Sequence, residues 1–161
     1  MPDENATPVD DRVIGAEPVT IKKAFDIADQ RAPLLDEGAF LHLTNAAGLP
    51  LYDDEGKPVG VVLRGRNSRV GLLTWRAVGN RRLETARKMA GTYTTTVESN
   101  EAESIDMLST LTVSWTFSVY AGQPFPCTPE NARKFWSDDK NIRWRREGED
   151  FIASEANFTR A

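Results

Sequence analysis

The sequence has little of what most catalytic and metal-binding sites are made of. Its 161 residues include one histidine, His42, and one cysteine, Cys127. A single cysteine excludes an internal disulfide framework and is compatible with a reducing compartment. His42 lies in a β-type run with no nucleophile or carboxylate pair near it at triad or metal-ligand spacing. We therefore interpret it as a strand histidine rather than as a general base or a ligand.

Nucleotide and cation motifs are also missing. The sequence contains neither a Walker pattern nor a G-x-G-x-x-G pattern. The acidic run at 53–56 lacks the alternating ligands and the final glutamate of an EF-hand, and it is typical of a solvated hairpin turn. The sequence therefore predicts a protein with no catalytic residue, no cofactor and no metal.

Long apolar runs are absent as well. No stretch approaches the roughly 18 to 20 residues that a membrane-spanning helix needs. The first 20 residues are acidic and contain prolines, whereas a signal peptide is basic and then apolar. We expect the protein to stay in the compartment where it is made.

What the sequence does have is an uneven distribution of charge. The net charge is −4, yet residues 64–88 hold eight basic residues against one acid, while 1–54 and 98–106 are net acidic. Such polarity suits a protein that docks onto charged partners, including copies of itself. Three prolines and five acids in 1–18 predict a flexible tail over 1–19, followed by a single domain over 20–161.

The residue pattern predicts an α+β fold, with a small antiparallel β meander in the N-terminal half and a mainly helical C-terminal half. β-type runs at 39–44 and 58–63, with turn-forming residues around 45–48 and 53–56, predict the meander over about 38–64. Residues 20–36 fit a short helix and an extended strand equally well.

Four helices are predicted, over about 68–90, 100–116, 129–136 and 139–153. Asn67 or Ser68 can cap the first, and Thr128 before a proline is typical of the start of the third. Asn100 with Glu103 resembles a capping box for the second. Residues 111–119 show both a helical face and strict alternation, so helix and strand both remain open there. In the first helix the apolar residues share one face: Leu72, Trp75, Val78, Leu83, Ala86 and Met89.

Arginine and tryptophan are the residues most used at protein interfaces. In the last helix, Ile142, Phe151 and Ile152 are expected to face inward and the arginines outward, which makes Trp144 the best candidate for an exposed anchor. With the arginines of the first helix, the predicted partner-binding residues are Arg69, Arg76, Arg81, Arg143, Trp144 and Arg145. Nucleic-acid binding by the basic helix is less favoured, because Trp75 lies in the apolar face and no nucleic-acid-binding signature accompanies it.

Two parts of the chain resemble tail-assembly proteins of long-tailed bacteriophages. In the C-terminal half the resemblance rests on Trp115, the run Gly122–Ala132, Ile142-Arg143 and the ending Ala156-Asn157-Phe158. In the first half it rests on the turn at 48–51, the run 56–59 and the arginine-rich helix after 65–68, so that it spans roughly 38–158. The resemblance implies a tail assembly chaperone, which is a non-enzymatic protein of the host cell cytoplasm. Such a chaperone binds the tape measure protein and helps to recruit tail tube protein.

In the mechanism that this resemblance implies, many weakly bound copies shield long apolar helices until tube subunits displace them. The main alternative is a structural virion component, such as a head-tail connector or a minor tail protein, which stays in the particle. A second alternative is a basic-helix nucleic-acid-binding protein, whose affinity falls steeply with salt.

Overall fold

A computed structural model describes residues 24–160 of the chain. The chain divides after Arg31 into two units. In the first unit, Ile27–Gln30 form a 3-10 turn that begins at Asp26, whose carboxylate accepts the N–H of Ala28 at 2.9 Å. The tail predicted over 1–19 lies outside the described residues, and so does the beginning of the segment 20–36.

The second unit begins with a three-stranded antiparallel sheet. Its strands, in spatial order, are β1 (Ala39–His42), β2 (Gly60–Leu63) and β3 (Thr112–Trp115). Two tight turns connect β1 to β2, and each is closed by an antiparallel bridge, Thr44 with Pro50 and Tyr52 with Pro58. All four α-helices follow β1 and β2, and β3 joins the sheet after the second helix; the arrangement confirms the predicted α+β class.

Four helices and one small hairpin complete the second unit. The helices are α1 (Arg69–Lys88), α2 (Val97–Leu111), α3 (Pro129–Ser137) and α4 (Ile142–Ala153), and the hairpin is β4 (Val119–Tyr120) with β5 (Gln123–Pro124). The side chains of Ser68 and Thr128 cap α1 and α3 by accepting the N–H groups of Gly71 and Asn131. Within residues 24–160, no helix is both long enough and apolar enough to cross a bilayer.

The second helix differs from its prediction at both ends. It begins one turn earlier than expected, because Thr96 and Ser99 form the capping box rather than Asn100 and Glu103. It ends at Leu111, where the chain continues directly into β3, so the last residues of the helix predicted over 100–116 are strand. β3 pairs with the edge of β2 that β1 leaves open, with Val61 opposite Trp115.

The core lies where α2, α3 and α4 meet the inner face of the sheet. Trp136 and Phe135 of α3 are fully buried there against Leu108 and Leu111 of α2. Gly148 lets α4 approach closely, since an added Cβ would lie 3.1 Å from Leu108 and 3.2 Å from Trp136. Phe158 is also fully buried, against Ala32 and Ala39.

The run Gly122–Ala132, which carries much of the family resemblance, has a structural role in this fold. Ala121 and Gly122 have positive φ angles of 51° and 78° and form the turn between β4 and β5. Phe125 then stacks on Trp115 with ring centroids 5.1 Å apart. These contacts explain the residue types in the run by turn and core packing.

Candidate functional site

The long helix α1 leaves most of its apolar residues uncovered by the second unit. Only Gly71 and Val78 of its residues are buried. Five others fall within about 80° of one another at about 100° per residue and form what we call the α1 seam: Leu72, Trp75, Gly79, Leu83 and Ala86. Leu72 is 45%, Trp75 46% and Leu83 62% exposed. Thus the predicted apolar face is mainly an outer surface, and only Val78 of it belongs to the core.

Trp75 lines three hollows: one is shared with α2 and α4, and the other two lie along the seam. Of the two seam hollows, one, of about 230 Å³, is lined by Arg66, Asn67, Leu72 and Trp75. The other, of about 520 Å³, has Gly79, Leu83 and Ala86 on one wall and Tyr93 on the other. The seam is therefore a shallow groove divided by an aromatic ring, a shape that accepts apolar side chains from a partner.

Arginines flank the seam on one side. Arg69, Arg76 and Arg87 project from α1 along the edge of the seam on which Leu83 lies. Within residues 24–160 no carboxylate lies at salt-bridge distance from their guanidinium groups, although Asp36 Oδ1 accepts the backbone N–H of Arg69 at 2.7 Å. Acidic groups outside the described residues, or on a partner, could pair with these guanidinium groups.

Two further arginines lie on the other side of the seam, over the Trp75 ring. The guanidinium carbons of Arg66 and Arg82 are 5.4 and 5.5 Å from its centroid, within the range of a cation–π contact. Arg82 also donates through Nε to Glu103 at 2.9 Å, and this hydrogen bond raises its pKa. The two guanidinium groups thus lie over an aromatic ring that is itself 46% exposed.

A larger hollow, of about 900 Å³, lies on the opposite side of α1, between α1, α2 and α3. Arg81 and Arg133 stand at its rim and both bind the carboxylate of Asp106. Burial by itself would raise the pKa of Asp106, but the hydrogen bonds and charges of Arg133 and Arg81 outweigh it and lower that pKa. These two arginines are thus paired within the fold, whereas the guanidinium groups of Arg69, Arg76 and Arg87 are not paired with any described carboxylate.

The structure separates the predicted partner-binding residues into two groups. Arg69 and Arg76 lie together at the surface of α1, beside the seam, and Arg81 faces the hollow with Asp106. The other three, Arg143, Trp144 and Arg145, are on α4 and make contacts within the fold, and Arg145 lines one hollow together with Trp75.

On α4 the expected outward orientation is wrong for Arg145. Its side chain is only 4% exposed; it donates to the carbonyl oxygen of Trp136 at 2.8 Å and pairs with Glu101. Ile142, expected to face inward, is exposed instead. The helix is rotated relative to the prediction because Arg145 and Gly148 face α2 and α3.

Trp144 is not the exposed anchor that the sequence suggested. It is half-buried, stacks on Phe135 with centroids 5.9 Å apart, and donates through Nε1 to the carbonyl oxygen of Thr44 at 2.7 Å. Arg143 donates to the same oxygen at 2.8 Å. Both residues tie α4 to the end of β1.

The residues considered for chemistry have structural partners. His42 Nε2 lies 2.6 Å from the carbonyl oxygen of Leu51, and its ring packs edge-on against Tyr52. Asp53 Oδ1 accepts the N–H groups of Glu55 and Lys57, which makes 53–56 the predicted hairpin turn. In the described part of the chain, no group of three or more histidine, cysteine or acidic side chains is placed to hold a metal ion.

The sequence pattern predicted the arginine-rich helix and its apolar face, but not that this face is exposed. Periodicity placed Leu72, Trp75 and Leu83 on one face, and such a face usually belongs to a core. The signal that could have distinguished an exposed face from a core face was the presence of arginines on both sides of it.

No family model, no curated protein and no solved structure matches the chain.

Proposed function

We propose that this protein is a non-enzymatic binding protein whose working surface is the α1 seam. The observation that carries the proposal is the exposure of Leu72, Trp75 and Leu83 on one side of a well-formed helix, flanked by arginines. Apolar side chains grouped in this way, with a charged rim, mark surfaces that bind other proteins.

We further propose that the protein acts as a tail assembly chaperone of a long-tailed bacteriophage, in the host cell cytoplasm. The support for this setting is the resemblance spanning roughly 38–158. In this role the seam binds the tape measure protein, and tail tube protein later displaces it. Repeated weak binding along an extended partner suits a shallow groove, because each copy must be removable.

A nucleic acid is the less favoured partner for this surface. The exposed ring of Trp75 removes one argument against it, but Arg66 and Arg82 already lie over that ring, where a base would stack. The aliphatic side chains of Leu72 and Leu83 are exposed on this surface, and a charged phosphate backbone would make no favourable contact with them. A protein partner accounts for both the arginines and the leucines.

The test is an affinity pull-down of the tagged full chain from cells that express its neighbouring genes, with mass spectrometry of the bound proteins. The wild type is compared with Leu83→Asp and with Leu49→Asp, a matched control because Leu49 is 61% exposed and lies in a turn away from α1. We expect a very long, helix-rich tape measure protein to be recovered with the wild type and with Leu49→Asp, and to be lost with Leu83→Asp.

Purified phage particles provide the second measurement. Absence of the chain from finished particles supports a chaperone that leaves after assembly. Stoichiometric presence contradicts the chaperone proposal and supports the structural virion component.

A further inference from the structure

Gly79 lies in the middle of the α1 seam, and nothing in the described fold requires a glycine there. A Cβ added at Gly79 would meet no heavy atom within 4 Å. Its φ is also not among the positive values of the chain. Glycine in a helix interior is unfavourable relative to alanine, because it loses more conformational freedom on folding.

The position of this glycine indicates a close approach from outside. Gly79 lines the larger seam hollow with Trp75, Leu83 and Ala86, so two of the four seam residues in that hollow are small. Small residues on a helix surface let the backbone of a second helix come near. The leucines on both sides, at 72 and 83, are then placed to interlock with side chains of that helix.

From these features, and resting on the proposed function of the seam, we infer that the segment that binds α1 is an amphipathic α-helix with acidic flanks, which crosses α1 at Gly79. The seam runs from Leu72 to Ala86, a rise of about 21 Å, which equals two heptads of a partner helix. The partner's acidic residues would meet Arg69, Arg76 and Arg87 on one side and Arg66 on the other.

A second copy of the same seam is a poor occupant by the same reasoning. Two such surfaces facing each other would bring the rows with Arg69, Arg76 and Arg87 together, and like charges at an interface oppose association. The charge pattern selects a surface other than this seam, one whose flanks are negative.

The probe is a labelled synthetic peptide of about three heptads, with leucine and alanine at its core positions and glutamate on both flanks. Its control has lysine in place of each glutamate. Binding to the purified full chain is measured by fluorescence anisotropy, and helix formation in the mixture is measured by circular dichroism. We expect the glutamate peptide to bind and to gain helicity, and the lysine peptide to do neither.

Two variants of the protein test the two parts of the inference. Gly79→Ala should raise the thermal midpoint of the free protein. It should nevertheless lower the affinity for the glutamate peptide by about tenfold or more, because the new methyl group occupies the space of the contact. Arg76→Glu should lower the affinity for the glutamate peptide about three- to fivefold and raise the affinity for the lysine peptide. A steric effect at Gly79 without a stability loss separates partner contact from misfolding.

Several results would overturn the inference. They are failure of both peptides to bind, equal binding of both, or no change in affinity with Gly79→Ala. Dimerisation of the wild type that Leu83→Asp abolishes would identify a second copy as the occupant. Strongly salt-dependent binding of an oligonucleotide that Arg76→Glu abolishes would identify a nucleic acid.

The peptide assay and the pull-down can fail separately. Peptide binding without recovery of a tape measure protein would leave the acidic helix as the ligand and reject the phage setting. Recovery of that protein by the wild type and by Gly79→Ala alike would keep the proposed function and reject this mode of contact.

Discussion

Val78 and Leu83 lie on the same helix, and truncating them to alanine should have very different effects on the free energy of unfolding. Val78 is 2% exposed and forms the underside of α1, so Val78→Ala removes about two buried methyl groups, or about 1.6 kcal/mol. The cavity left behind adds about 1 kcal/mol and the higher helix propensity of alanine offsets about 0.5 kcal/mol, for a total of about 2 kcal/mol.

Leu83→Ala removes three carbons, which would cost about 2.4 kcal/mol if they were fully buried. Leu83 is 62% exposed, so about 0.9 kcal/mol remains, and the higher helix propensity of alanine offsets a few tenths of that. The ratio between the two variants is the prediction, because it follows from exposure rather than from the absolute scale.

The assay is urea denaturation followed by tryptophan fluorescence, at two protein concentrations tenfold apart, with Leu49→Ala as a second exposed control. A loss of 2 kcal/mol or more for Leu83→Ala would refute the reasoning, since it would mean that the seam is already covered in the free protein. A denaturation midpoint that rises with protein concentration would identify that cover as another copy.

Three further variants test contacts elsewhere in the fold. Arg145→Ala should cost about 2–3 kcal/mol by removing the cation paired with Glu101, whereas Arg146→Ala should cost less than about 0.5 kcal/mol in the same denaturation assay; equal costs would contradict the burial of Arg145. Burial opposes ionisation of Asp106, but Arg133 and Arg81 outweigh it and lower the pKa of that carboxyl. Its contribution to the free energy of unfolding is therefore present above the ordinary pKa of aspartate and is lost as the pH falls through the lowered value. The stability difference between wild type and Asp106→Asn should therefore shrink below about pH 4, and a constant difference would argue against the ion pairs. Burial, and then the hydrogen bond to Asp138, raise the pKa of Tyr120 to about 12. Its contribution to the free energy of unfolding is therefore fully present below about pH 10 and is lost as the pH rises towards 12. The advantage of wild type over Tyr120→Phe should decline in that range, and a Tyr120 absorbance titration centred near pH 10 would be inconsistent with this.

Local sequence signals predicted a helix start correctly where the capping residue had no other partner in the fold. Ser68 and Thr128 each cap a helix as their sequence context predicts. Glu103 could not complete the cap predicted with Asn100, because it binds Arg82 of α1. The contact joins residues that are 21 apart in sequence, and a local pattern carries no information about it.

The same limit explains the errors on α4. A tryptophan between two arginines reads locally as an exposed anchor, but Trp144 and Arg143 both reach the carbonyl oxygen of Thr44, about a hundred residues away. Arg145 is buried because the fold supplies an acceptor at Trp136 and a carboxylate at Glu101. A buried arginine needs both, and neither is visible in the sequence near it.

The sequence by itself determined the α+β class, the extent of α1 and the concentration of positive charge along it, since periodicity, caps and charge are local properties. Only the tertiary structure decided which side of α1 is buried. A helical period defines an apolar face but not the neighbour that covers it, and here α2 covers Val78 while Leu72, Trp75 and Leu83 are left exposed. The candidate binding surface exists because the fold of residues 24–160 leaves these three side chains exposed.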